Sequence, residues 1–168
     1  MATTRQALIE AVGRATQAYQ RATDGFDDVV GRTLGLNATD LRCLDWLTQG
    51  AMSAGELSGA TGLSSAATTT LLDRLERKGF VRRERDTVDR RKVLIGLTPA
   101  GLESVDKFYG PLAREGAELL TRFSDAELAM MRDFLIEATA HVDRHRARLL
   151  GAHRPGARAS ARAAKTQS

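Results

Sequence analysis

Apolar residues recur with helical spacing along most of the chain. Near the N-terminus, Leu8, Val12, Ala15, Tyr19, Ala22, Phe26 and Val29 are separated by alternating steps of four and three. That heptad spacing draws a narrow apolar stripe along one long helix, which Gly31 and Gly35 are expected to end. Near the other end, Leu128, Met131, Leu135, Ala138, Val142, His145 and Leu149 repeat the pattern. This second helix opens on Ser124 and Glu127, an S-x-x-E capping box. A compact central body could not cover both stripes along their full length. Leu8, Val12, Leu128, Met131, Leu135, Val142 and Leu149 are therefore expected at an interface between two copies of the chain.

Shorter elements lie between the stripes. "NATDLRCLDWLTQG" reads as a helix opened by Asn37 and Asp40, ended by Gly50, with Leu41, Leu44 and Leu47 on its core side. "SAGELSGATG" reads as a second helix, capped by Ser53 with Glu56 and stopped by Gly62. A third, "SSAATTTLLDRLERKG", takes Ser64 as N-cap and Gly79 just past its end. Two strand-like arms follow, Val81 to Arg85 and Lys92 to Leu97, joined by "DTVDRR". Thr98 and Pro99 then start another helix, carrying Leu102, Val105, Phe108, Leu112, Leu119 and Phe123, in which Pro111 is expected to introduce a kink.

The third helix has two unlike faces. Thr68, Leu71, Leu72 and Leu75 fall on one side and must face a core. The opposite side presents Ala66, Thr69, Thr70 and Asp73, flanked by Ser65, Ala67 and Arg74. Solvated faces favour Glu, Lys and Gln, whereas Ser and Thr are weaker helix formers. A helix lying in a DNA major groove needs small side chains for close approach, and hydroxyls can bond phosphates or base edges. Two short helices joined by a tight turn make a helix-turn-helix. The candidate contacts on its second helix, residues 64–78, are Ser64, Ser65, Ala66, Thr69, Thr70 and Arg74.

Charge sharpens this reading. The net charge is +4, with 25 basic and 21 acidic residues, but the tail from Gly151 to Ser168 carries four of the basic ones and no acid. Residues 1–150 are thus neutral overall, while Arg74 to Lys92 holds nine basic and four acidic residues. A clustered excess in a neutral body is an electrostatic footprint for nucleic acid. The hairpin over residues 82–97 then reads as a wing, with Arg85, Asp89, Arg90 and Arg91 at or near its tip. An arginine there could enter the minor groove beside the helix.

The segment "SAGELSGATGLSSAATTTLLDRLERKGFVRRERDTVDRRKVLIGLTPAG" resembles the DNA-binding core of the MarR (multiple antibiotic resistance regulator) family of bacterial transcription factors. The most specific part runs from Leu71 to Gly101, with the D-x-R element at Asp89–Arg91, and the resemblance extends over about residues 5–150. It implies a mainly α fold with a small β wing: a winged helix-turn-helix with long N- and C-terminal dimerisation helices. It also implies an obligate homodimer on a near-palindromic operator. By the same resemblance Asp89 braces the wing by pairing with an arginine, and one of Arg90 and Arg91 reaches the minor groove. Where relatives often read S-P-S-T at the start of the recognition helix, this chain reads "SSAA", so base preference does not carry over.

The expected organisation is an N-terminal dimerisation helix (1–35), a winged helix-turn-helix core (36–98), C-terminal dimerisation helices (99–150) and a disordered basic tail (151–168), in one structural domain. Tyr19, Phe26, Trp46 and Phe108 are candidates for lining a pocket for a small aromatic or lipophilic effector, and equally for core. Cys43 is expected to be a buried, inert thiol. His141 and His145 are spaced as metal ligands could be, but His145 falls on the apolar seam and reads as a half-buried packing residue. No catalytic motif is present, so no catalytic residue, cofactor or metal is expected. No apolar run suits a membrane span or a signal peptide, and the protein is expected to be cytoplasmic. The expected function is a DNA-binding transcriptional regulator, a homodimeric ligand-responsive repressor. The alternatives are an architectural DNA-binding protein without effector and a winged helix that meets a protein partner.

Overall fold

The computed structural model describes residues 4–87 and 89–152; the expected basic tail lies outside the described residues but for its first two. Contacts divide the chain into two units, residues 1–113 and 114–168.

The first unit opens with α1, Arg5–Leu34. Thr4 caps it, and Gly35 ends it in the left-handed conformation that glycine adopts without a Cβ penalty. Gly31 does not end the helix as the sequence suggested. It is buried inside α1, where an added Cβ would lie 2.8 Å from the Leu36 carbonyl oxygen. The helix thus needs glycine there for close approach, not for termination. Along most of α1 the seam residues stay exposed, including Leu8, Val12, Tyr19 and Val29. Only near its end does α1 join the core, through Val30 with Phe26 and Leu34 packed alongside.

Helix α2, Ala38–Thr48, starts at an Asn37–Asp40 capping box with both bonds formed. Strand β1, Met52–Ser53, leads into α3, Ala54–Thr61, which Gly62 ends in the left-handed conformation. Helix α4 spans Ser65–Arg77. Its end is tied by Phe80 N–H donating to the Leu75 carbonyl and Gly79 N–H to that of Glu76, which satisfies carbonyls the helix would otherwise leave unpaired.

Strands β2, Val81–Arg85, and β3, Val93–Leu97, form the hairpin. They pair antiparallel with Arg83 opposite Ile95, and β1 pairs with the other edge of β3, giving the order β1-β3-β2. The two-residue β1 is too short to show an alternation in the sequence. The core joins α1 to α4 and the sheet through Leu41, Cys43, Leu44, Leu47, Leu57, Leu71, Leu72, Leu75, Phe80, Val81 and Ile95.

Helix α5, Pro99–Leu120, begins at Thr98, whose hydroxyl accepts from Gly101 N–H and donates to the Gly79 carbonyl. The helix continues past Pro111. In the second unit, α6 spans Asp125–Ala152, opened by the expected Ser124–Glu127 box. On α6, Leu128 and Met131 are half-buried, while Leu135, Val142 and Leu149 are exposed. So are Met130, Phe134 and Ile136, which lie off the seam read from the sequence. His145 is also exposed rather than half-buried, its Nδ1 3.0 Å from the His141 carbonyl oxygen.

Candidate nucleic-acid interface

Period-two alternation places Val81, Arg83 and Arg85 on one side of β2 and Arg82 and Glu84 on the other. Val81 enters the core. Arg83, two residues on, reaches α4, its Nη2 2.6 Å from Asp73 Oδ1 and its Nη1 bonded to Glu76. Arg82 instead pairs with Glu84 at 2.7 Å. The base of the wing is therefore tied to the recognition helix by side chains as well as by the core.

At the start of α4 the residues expected to read DNA stand together. Ser64 caps the helix, its Oγ accepting from Ala67 N–H at 3.3 Å. Ser65, Ala66, Thr69 and Thr70 are all exposed. The Thr69 and Thr70 hydroxyls donate to the Ser65 and Ala66 carbonyls at 3.0 and 3.1 Å. Their protons are occupied by the helix, and what remains for a ligand is oxygen lone pairs and methyl groups. Those can accept from an adenine or cytosine amino group, or pack on a thymine methyl.

Arg74 departs from the expectation. Helical spacing puts it at the edge of the DNA face, but its guanidinium bonds Asp40 of α2. Asp40 is only 1% exposed, so a buried charge takes the nearest cation. The capping box could be read from the sequence; that the same carboxylate also anchors α4 could not.

At the wing tip, Asp86 N–H donates to the Lys92 carbonyl and Lys92 N–H to that of Asp89, closing the hairpin. The Asp89 carboxylate accepts from the Arg91 backbone amide at 3.1 Å. It braces the turn through the backbone; among the described residues no ion pair joins it to a guanidinium of the kind the resemblance implied. Among the described residues no ion pair holds Arg85, Arg90 or Arg91, and all three are exposed.

A cavity of about 660 Å³ opens among α1, α2 and α5 within the first unit. None of Tyr19, Phe26, Trp46 and Phe108 lines it. Tyr19 is 74% exposed and Trp46 is also exposed, while Phe26 and Phe108 pack against the core. Aromatic identity alone could not say which ring meets the cavity. Tyr109 does, together with Leu41, Leu44, Val105 and the acids Asp24, Asp27, Asp28 and Asp45, with Arg42 the one basic lining residue among those described. Tyr109 donates to Asp27 at 2.7 Å and meets Phe26 edge-on, ring centres 5.4 Å apart. Burial, and then the bond to Asp27, push its pKa upward, so it remains a neutral phenol.

Among the described residues, no helix is long and apolar enough to cross a membrane. A sequence model described as the MarR family matches residues 36–93, from the end of α1 into β3. The helix-turn-helix-type transcriptional regulator YcgE of Bacillus subtilis (strain 168) is 34% identical over 150 residues, covering 87% of this chain and 97% of its own. The transcriptional repressor YetL of the same organism is 34% identical over 79 residues, 47% of each chain. A MarR family protein from Bacillus stearothermophilus has the same fold, with a TM-score of 0.60 at 24% identity, over 84% of this chain and 99% of that one. With a relative matched over nearly its whole length and a winged helix-turn-helix built as described, this chain belongs to the MarR family of DNA-binding transcriptional regulators.

Proposed function

We propose that the protein acts as a homodimeric repressor whose operator affinity responds to a small molecule. The observation that carries the DNA-reading part is a juxtaposition. The small, exposed N-terminal half of α4 stands one hairpin away from Arg85, Arg90 and Arg91, which have no carboxylate partners among the described residues. Ser64, Ser65, Ala66, Thr69 and Thr70 would enter the major groove, and the free amides at the start of α4 would draw a phosphate. Arg90 and Arg91, on the tip, would meet the neighbouring minor groove. Arg74 is left out of the contact set because Asp40 holds it. Repression is supported by likeness to YetL, which is named a repressor.

Dimerisation is supported by the exposed apolar residues Leu8 and Val12 on α1 and Leu135, Val142 and Leu149 on α6. A second copy would place two recognition helices in successive major grooves, roughly 34 Å apart. The effector would occupy the cavity beside Tyr109. Its aliphatic and aromatic lining suits a lipophilic molecule, and its four aspartates favour one that carries a positive charge. Such a ligand releases DNA only if it binds the two conformations of the dimer unequally.

The decisive experiment titrates the protein into labelled DNA from upstream of its own gene, with a scrambled duplex as control, at two salt concentrations. Preference for the native duplex, weakening as salt rises, is expected. Equal weak binding to both would favour an architectural role. No binding to either at low salt would leave the surface of α4 to a protein partner.

A further inference from the structure

Helix α4 breaks a local rule. Acidic side chains are disfavoured near a helix C-terminus, where the carbonyl ends already carry partial negative charge. Yet Glu76 sits in the last turn of α4, with Asp73 three residues before it and therefore its neighbour on the surface. Asp73 lies seven residues after Ala66, close to two turns, and so continues the stripe of Ala66 and Thr70. On a helix whose N-terminal half enters a groove, that position rises beside the phosphate backbone. Two bare carboxylates there would repel DNA.

Arg83 stands against both. It comes from β2, with Nη2 2.6 Å from Asp73 and Nη1 on Glu76, so one planar fork spans the two carboxylates. Its side chain is 32% exposed, the least exposed of the three. Its own pKa is raised, chiefly by the bond to Asp73.

We propose that Arg83 is a positioning residue for DNA binding: it masks Asp73 and Glu76 against the phosphates instead of contacting DNA itself. This rests on the placement of α4 in the groove. A lysine could not replace it fully, because a point charge cannot meet two carboxylates with a planar fork.

The test compares wild type, Arg83→Ala and the triple variant Arg83→Ala/Asp73→Asn/Glu76→Gln. The probe is a duplex selected by the wild-type protein from a random pool, measured over a range of salt. Arg83→Ala is expected to weaken binding about tenfold. Removing the two charges as well is expected to restore affinity to within about threefold of wild type. Recovery of less than half the loss, on a logarithmic scale, overturns the proposal, as does unchanged affinity of Arg83→Ala. If Arg83 touched a phosphate directly, Arg83→Ala would lower the salt slope by about 1 and the triple variant would stay weak. Failure of the wild type to select any duplex would instead count against the DNA reading itself. Melting curves confirm folding, and Arg83→Gln replaces Arg83→Ala if the latter does not fold.

Discussion

Asp40, the third residue of α2, is held by Arg74 from α4, 34 positions later in the chain. One carboxylate serves two ends. Oδ2 accepts from Asn37 N–H at 3.1 Å and closes the capping box, while Oδ1 takes the guanidinium. The recognition helix is thereby fastened to the N-terminus of the helix that lines the cavity. Removing one member of a buried pair leaves the other charge without its partner, at about 3–5 kcal/mol. Asp40→Ala also loses the cap, about 1 kcal/mol more. Arg74→Ala leaves the 2% exposed Asp40 carboxylate without its partner and is expected at the upper end. The guanidinium that Asp40→Ala leaves behind is 34% exposed and screened by water, so the charge part of its cost falls at or below the lower end. Urea denaturation of the two variants checks the order.

Cys43 is buried beside this pair, and its pKa is pushed up to about 11, first by burial and then by the charge of Asp40. The thiol is therefore expected to resist iodoacetamide at pH 8 in the native protein and to react in urea. The raised value also fixes a pH window. Below the ordinary value of 9.0 the thiol is protonated in both states and the contribution is fully present; it is lost as pH rises toward 11. The loss should reach about 2–3 kcal/mol. Cys43→Ala should flatten that part of the stability curve. A native thiol that reacts as fast as the unfolded one would contradict this.

Gly101 lies against the backbone of Phe80, just before β2. A Cβ added there would lie 2.1 Å from the Phe80 carbonyl oxygen, a clash with backbone that cannot swing aside. Gly101→Ala is expected to cost about 3 kcal/mol or more despite the better helix propensity of alanine. Gly13→Ala, where nothing lies within 4 Å, should instead be neutral or slightly stabilising. Thermal melts of the pair separate the two kinds of glycine.

The wing tip makes a prediction about ionic strength. Arg90→Ala and Arg91→Ala should each weaken DNA binding. Each should also lower the salt slope by about 1 if the lost contact is to phosphate. Because the Asp89 carboxylate bonds the Arg91 backbone amide, Asp89→Ala should weaken binding by loosening the turn, with little change in slope. Fluorescence anisotropy over a range of salt reads both effects.

The cavity beside Tyr109 should discriminate by charge. Benzyltrimethylammonium is expected to raise the melting temperature and benzoate to leave it unchanged, since the lining sets four aspartates against one arginine. Asp27→Asn should reduce the effect, because Asp27 is the carboxylate that Tyr109 holds in place. Stabilisation by benzoate alone would reverse the assigned ligand class.

Local rules account for what the sequence determined by itself. Caps at Asn37, Ser53, Ser64 and Ser124, the stops at Gly35 and Gly62, and the hairpin arms all depend on neighbours a few residues away. So does the two-faced pattern of α4, whose Thr68, Leu71, Leu72 and Leu75 are all buried. Contacts between distant residues were decided only in the tertiary structure. Asp40 claims Arg74, Arg83 claims Asp73 and Glu76, Gly31 and Gly101 lie against backbone, and the cavity takes Tyr109 and a set of aspartates in place of the expected rings. The reason is physical: a helix face is set by a period of a few residues, but the partner of a charge or the wall of a cavity is whatever residue the fold brings within reach.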